Sequence, residues 1–251
     1  SFYGQWGGET HLEQVSVGTL RRMLCDEIGD GVTELACHPG YADPEFHSAY
    51  SAVEREAELR TLCDPSVRES VLELVTGVLL ATAAWQLMRV FGISPTLRFD
   101  GPSVAWGMGG AVALTAWTFA VQQGYALALG RAHADGLTRA LAAHFKHAGI
   151  AQIGAAFLAA GGEELFFRGF IQGQWGLWVG SLAFMAAHLG KRDIRVIGYW
   201  SVFQGLGLGL LYDVTGNLAV PIISHGLFDL GAMVYFRRLM ANTPSSSLGP
   251  R

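Results

Sequence analysis

The sequence predicts an all-α polytopic membrane bundle of about six transmembrane helices, preceded by a small soluble α/β fragment. Three observations carry this expectation. Of 251 residues, 51% are hydrophobic and only 15% charged, against about 25% charged in an average soluble domain. The charge is also unevenly placed. Residues 1–70 hold 13 of the 21 acidic and 5 of the 17 basic residues, a local net of −8, and the remainder carries a net of +4. Finally, Gly101–Gly130 runs for thirty residues without Asp, Glu, Lys, Arg or His. About 20 apolar residues suffice to cross ~30 Å of hydrocarbon.

This balance excludes a disordered chain, a coiled coil and a nucleic-acid binder with a basic face. The chain divides into a soluble fragment over 1–72, a membrane domain over 73–241 and a disordered tail over 242–251. All three cysteines (Cys25, Cys37, Cys63) fall in the first part. They form neither a C-x-x-C pair nor a zinc spacing, which suits reduced thiols in a cytosolic piece. The first residue is Ser and no signal peptide precedes it, so the sequence reads as starting inside a longer frame.

In the soluble fragment, Val17–Ile28 is expected as a helix. Val32–Tyr41 reads as a short strand closing in a Pro39-Gly40 turn. Ala52–Leu62 reads as a second helix, with Glu and Arg at spacings that permit i,i+4 pairs.

Six membrane helices follow in order. Leu74–Ile93 carries only Arg89 near its end, and Gly101–Gly130 is uncharged. Ile150–Phe170 is apolar except for Glu163, Glu164 and Arg168. Phe170–Ala187 leads to His188, Val196–Tyr212 is uncharged, and Val214–Phe236 is apolar except for His225 and Asp229. With the N terminus in the cytoplasm, the loops on that side carry eight bases: Arg131, Arg139, Lys146, Lys191, Arg192, Arg195, Arg237 and Arg238. The opposite loops carry Arg98. That asymmetry agrees with the positive-inside rule and puts both termini in the cytoplasm. Gly107/Gly109/Gly110 and Gly205/Gly207/Gly209 suit close helix packing. The latter run lacks the strand and the Lys-Ser/Thr of a phosphate loop.

Charged groups in a bilayer helix cost at least ~2.5–3.5 kcal/mol each and mark functional sites by default. Here they form three clusters: Glu163-Glu164…Arg168, Phe184…His188 and His225…Asp229. Glu164 and Arg168 are four apart on one helical face, as an acid–base pair requires. Glu163 is rotated about 100° from Glu164, so the two carboxylates are free to differ in role. His225 and Asp229 are also four apart, letting the carboxylate orient the imidazole. Hydrolysis is the chemistry that fits. A carboxylate with no cation of its own can take a proton from water. The two imidazoles either hold zinc together with a carboxylate, leaving a position for water, or orient the water and stabilise an oxyanion directly. A lone Glu–Arg pair is more often structural, and a lone membrane His more often a hydrogen-bonder. Three clusters on three helices outweigh those readings.

This pattern resembles the CAAX-protease and bacteriocin-processing (abortive-infection) family of intramembrane endopeptidases. That family's motifs E-E-x-x-x-R, F-x-x-x-H and H-x-x-x-[N/D] stand here at Glu163–Arg168, Phe184–His188 and His225–Asp229. The text Gly205–Tyr212, Thr215–Leu218 and Pro221–Ile222 is also similar, and the match covers about residues 75–240. The resemblance implies Glu163 as the water-activating base, with Glu164 its partner held by Arg168. His188 and His225 would bind the water or a metal, making His188, His225 and Glu163 the candidate zinc ligands. Asp229 stands where eukaryotic prenyl-protein proteases carry Asn, and fits a partner of His225 better than an oxyanion donor. The implied substrate is a membrane-associated peptide or protein, and the implied location the bacterial inner membrane.

Residues 1–70 resemble the C-terminal part of YdjC-like carbohydrate deacetylases, through Phe2-Tyr3-Gly4, Glu34-Leu35…Cys37–Tyr41 and Glu54–Arg68. His38 falls at that family's late active-site His. The strands bearing its metal-binding Asp and His residues are not in this sequence, so no deacetylase activity is expected. A native fusion or a joining of two genes each explains the composition break near residue 72. Alternatives to the protease are a non-catalytic immunity or partner-binding protein on the same scaffold, a proton-relay transporter, and a membrane-tethered deacetylase. Substituting Glu163 separates the first of these from a protease. The lack of an internal repeat weighs against the transporter.

Overall fold

The computed structural model describes residues 2, 4–6, 9–24, 33–41, 45, 50, 52–131, 138, 151–189 and 195–241. The protein is mostly α-helical. It divides into two compact units, one of residues 1–75 with 149–155 and the other of residues 76–148 with 156–251.

The first unit opens with a hairpin of β1 (Gln5–Trp6) and β2 (Glu9–Thr10), paired antiparallel with Gln5 opposite Thr10. A 3-10 turn over Leu12–Val15 precedes α1 (Val17–Arg22), whose N terminus is capped by Ser16 accepting from the Thr19 amide at 3.2 Å. Helix α2 covers Ala52–Leu62, the expected bounds. The expectation for Val17–Ile28 holds over its first turns, and residues 25–30 lie outside the described residues. Phe2, Val15, Leu20 and Val67 form the core of the unit.

The strand expected over Val32–Tyr41 is not formed, and residues 33–41 have no regular secondary structure. A strand needs a neighbouring ladder to take its backbone groups. Here the His38 amide donates to the Glu58 side chain at 2.5 Å and the Gly40 amide to the Arg55 carbonyl at 3.3 Å. Helix α2 thus substitutes for a partner strand. Its Glu54 and Glu58 are fully buried. Glu54 accepts from the Thr10 hydroxyl at 2.5 Å, and Glu58 from the Tyr50 phenol. Burial, reinforced by Glu58, pushes that phenol above its ordinary pKa. Cys37 and Cys63 are free thiols.

Helix α3 (Pro65–Phe91) leads into the second unit, followed by α4 (Gly101–Leu129) and α5 (Ala151–Glu164). Residues Leu165–Gln172 continue α5 as a π-helix, and Gly173–Trp175 adds a last turn. The remaining helices are α6 (Leu177–His188), α7 (Arg195–Thr215) and α8 (Ala219–Ala241). The break expected at Phe170 falls instead at Gly176, whose φ of 85° only glycine adopts without strain. Packing is most extensive between α6 and α7 and between α4 and α8. Helices α3 and α5 meet at Gly77 and Gly162, where a methyl on Gly162 would lie 2.2 Å from the Gly77 carbonyl oxygen.

Among the described residues, two helices are long and apolar enough to cross a membrane, over Gly101–Ala128 and Ala219–Phe236, and Val75–Phe91 and Leu177–His188 are shorter apolar segments. Trp106, Val112, Trp117 and Phe119 on α4 are exposed, as lipid-facing side chains would be. Asn217, in the turn between α7 and α8, ties that turn to the segment before α4. Its Oδ1 accepts from the Arg98 amide at 2.9 Å, and its Nδ2 donates to the Arg98 carbonyl at 2.8 Å and to Ser103 Oγ at 2.7 Å.

Candidate active site

Helical periodicity places Glu163 and Glu164 on different faces, and their surroundings differ accordingly. Glu164 is fully buried and Glu163 partly so. Glu164 Oε1 accepts from Arg168 Nη1 at 3.0 Å and faces His225 Nδ1 at 2.8 Å. One carboxylate oxygen therefore joins the end of α5, the π-helix and α8. Its second oxygen, Oε2, is buried with no hydrogen-bond partner among the described residues.

Arg168 is 1% exposed. Besides Glu164 it donates from Nη2 to the Gly205 carbonyl of α7 at 3.1 Å. Its guanidinium carbon lies 4.4 Å from the centroid of Phe184. A buried cation is tolerated only when paired and hydrogen-bonded, and the carboxylate, the carbonyl and the aromatic face together meet that need. The π-helix is the local device that arranges this. Its wider turn, a feature often found at functional sites, carries Arg168 and Gln172 toward α7.

Phe184 is the hub of the cluster. It is wholly buried, with ring centroids 4.4 Å from His188 and 5.8 Å from His225, the latter edge-on. His188 Nδ1 lies 2.8 Å from the Phe184 carbonyl oxygen. Only a donor suits a carbonyl, so Nδ1 carries the proton and Nε2 of neutral His188 presents a lone pair.

His225 is buried between two carboxylates, with Glu164 at 2.8 Å from Nδ1 and Asp229 Oδ2 at 3.4 Å from Nε2. The sequence pointed to Asp229 as the group orienting His225, and the structure places Glu164 closer. Glu163 adjoins Glu164 at the end of α5, and His188 reaches the cluster through its ring contact with Phe184. All six candidate residues, Glu163, Glu164, Arg168, His188, His225 and Asp229, thus share one region at the junction of α5, α6 and α8.

The candidate zinc ligands were His188, His225 and Glu163. Among the described residues no three His, Cys, Asp or Glu side chains converge as a metal-ligand set, and both ring nitrogens of His225 face carboxylates.

Three features of the site are not apparent from the motifs. Phe184 acts through its ring, the Gly205 carbonyl is an acceptor for Arg168, and Gln172 bonds α7. A sequence signal for Gln172 does exist. It follows Arg168 by four residues, as Arg168 follows Glu164, and is an uncharged polar residue in an apolar run.

In the first unit, His38 stacks its ring edge-on against Tyr50 at 5.8 Å. The carboxylates nearby are those of α2, already engaged with Thr10, Tyr50 and the His38 amide.

Residues 146–231 match the family model of the type II CAAX prenyl endopeptidase Rce1-like proteins, a span containing all six site residues. Residues 2–73 match the YdjC-like protein family. These are the two families that the sequence motifs resemble. A curated relative, the uncharacterized protein YpbD of Bacillus subtilis (strain 168), is 40% identical over 77 residues. That stretch is 29% of this chain and 38% of the relative, so the chain spans well under half of that protein's length. No solved structure matches.

Proposed function

We propose that the second unit is an intramembrane endopeptidase that hydrolyses a peptide bond of a membrane-associated protein or peptide. The observation that carries this reading is the meeting of two sequence-distant motifs on one buried carboxylate, with Arg168 at 3.0 Å and His225 at 2.8 Å from Glu164 Oε1. The match to a prenyl endopeptidase family over the same residues supports it.

In the proposed reaction Glu163, which has no cation four residues away, takes a proton from water. The hydroxide attacks the carbonyl carbon to give a tetrahedral oxyanion. His188 Nε2 offers a lone pair that orients the water. Glu163 returns its proton to the leaving amine as the C–N bond breaks. Glu164 and Arg168 do not exchange protons with substrate, and they hold His225 in register. The bundle would cross the bacterial inner membrane six times with both termini in the cytoplasm, as the eight-to-one distribution of bases favours.

The test uses the full chain reconstituted in lipid vesicles, with fluorogenic peptides presented with and without a prenyl group. Wild type should cleave a subset of these, and Glu163→Gln should cut none while retaining the wild-type unfolding midpoint. Cleavage surviving in Glu163→Gln would refute the assignment of the base. Cleavage absent from wild type across all peptides, with membrane insertion intact, would favour a non-catalytic partner-binding protein.

A further inference from the structure

Gln172 ends the π-helix and is 5% exposed. Its Nε2 donates to the Gly209 carbonyl at 3.0 Å and to Asp213 Oδ1 at 2.7 Å. Both partners are acceptors only, so the orientation of the amide is unambiguous. One turn earlier Arg168 makes the equivalent bond to the Gly205 carbonyl. Glu164, Arg168 and Gln172 are spaced by four on one side, and Gly205, Gly209 and Asp213 by four on the other. The result is a two-rung ladder between the π-helix and α7.

Glycine makes the ladder possible, because the carbonyls must be approached closely. A methyl on Gly209 would come within 2.6 Å of Gln172 Oε1. Gln172 Oε1 is itself buried with no hydrogen-bond partner among the described residues. An amide held with one end unsatisfied is costly. Packing alone would be better served by Leu or Met. The buried amide therefore points to a role for its donors.

We propose that Gln172, braced by Asp213, is a positioning residue for the hydrolytic site. It fixes the rotation of the π-helix against α7, and so the reach of Arg168 to Glu164 and of Glu164 to His225. This inference rests on the hydrolytic reading, but its geometric content is read independently of cleavage.

The experiment records imidazole 1H–15N resonances of the full chain labelled with 15N-histidine in detergent micelles, with His225 assigned from the signal lost in His225→Asn. Unfolding midpoints and the cleavage assay above are run on the same variants. Gln172→Leu and Gln172→Glu remove both donated bonds and should displace the His225 ring resonances. In both, kcat should fall about ten- to a hundredfold, the range for residues that orient a catalytic group, with KM little changed. Asp213→Asn keeps its acceptor oxygen and should match wild type. Asp213→Ala, at an exposed position, removes one acceptor and should give a smaller displacement of the same resonances, which carries the test if Gln172→Leu does not fold.

His225 resonances unmoved in Gln172→Glu and Asp213→Ala, or a lowered midpoint with no ring displacement, would reduce Gln172 to a packing residue and overturn the inference. Displaced resonances in a chain whose wild type cleaves nothing would keep the positioning role and count against the hydrolytic reading. Cleavage with unmoved resonances would do the reverse.

Discussion

Replacing Arg168 with Met tests the central claim about the buried cluster, that Glu164 depends on the Arg168 guanidinium inside a low-dielectric region. The side chain being removed is 1% exposed, donates to Glu164 Oε1 at 3.0 Å and to the Gly205 carbonyl at 3.1 Å, and lies over the Phe184 ring. Met fills comparable space, so the cavity contribution is small and electrostatics dominates. Removing one partner of a buried ion pair costs about 3–5 kcal/mol, because the other charge is left uncompensated. Arg168→Met should therefore destabilise the chain by about that amount. Glu164→Gln alone keeps an oxygen for His225 and Arg168 but strands the guanidinium. Combining the two substitutions leaves no stranded charge, and the coupling energy should reach about 2 kcal/mol, within the range for directly bonded pairs. The assay is reversible unfolding in mixed detergent micelles, followed by circular dichroism, for wild type, both single variants and the double variant. A coupling energy below about 0.5 kcal/mol would refute the reasoning, since it would mean that the two side chains do not sense one another.

Gly162→Ala and Gly161→Ala form a matched pair on α5. The first would put a methyl 2.2 Å from backbone at Gly77 and should destabilise by about 1–3 kcal/mol, as overpacking does. The second meets no described atom within 4 Å and should be neutral or slightly stabilising in the same unfolding assay. Asn217→Ala loses two part-buried bonds to the Arg98 backbone and one buried bond to Ser103, at a cost of about 1–3 kcal/mol. Faster hydrogen exchange at the Leu218 amide, which donates to the Thr96 carbonyl at 2.8 Å, is the readout. Asp100 caps α4, and its hydrogen bonds from the Ser103 hydroxyl and amide hold its carboxyl below the ordinary value. A depressed carboxyl contributes stability above its unfolded pKa and loses it as pH falls through the folded one. Protection of the first turn of α4 should therefore decline on acidification below about pH 4 in wild type. It should not do so in Asp100→Asn.

The motif residues on single helices were legible because their geometry is local. Four residues advance a helix by slightly more than one turn, so Glu164 had to face the same way as Arg168, and Glu163 another. The capping of α1 by Ser16 and the bounds of α2 follow from the same short-range chemistry. The fragment around Val32–Tyr41 departs from its local preference for the complementary reason. Its residues favour a strand, but a strand exists only with a partner, and Glu58 and Arg55 of α2 took the amides of His38 and Gly40 instead.

Residue order alone thus specifies a mostly helical chain, the places where polar residues interrupt its apolar segments, and the families those residues resemble. Which atoms meet is set by the packing of whole helices. Glu164 and His225 are 61 positions apart and Arg168 and Gly205 37 apart, while Phe184 joins Arg168, His188 and His225 through one ring. These contacts depend on the rotation and register of whole helices. Glycines that let helices approach, and a π-helix whose wider turn swings Arg168 and Gln172 onto α7, set that rotation. Neither reveals itself in the periodicity of a single segment, because what fixes it is the surface of the neighbouring helix.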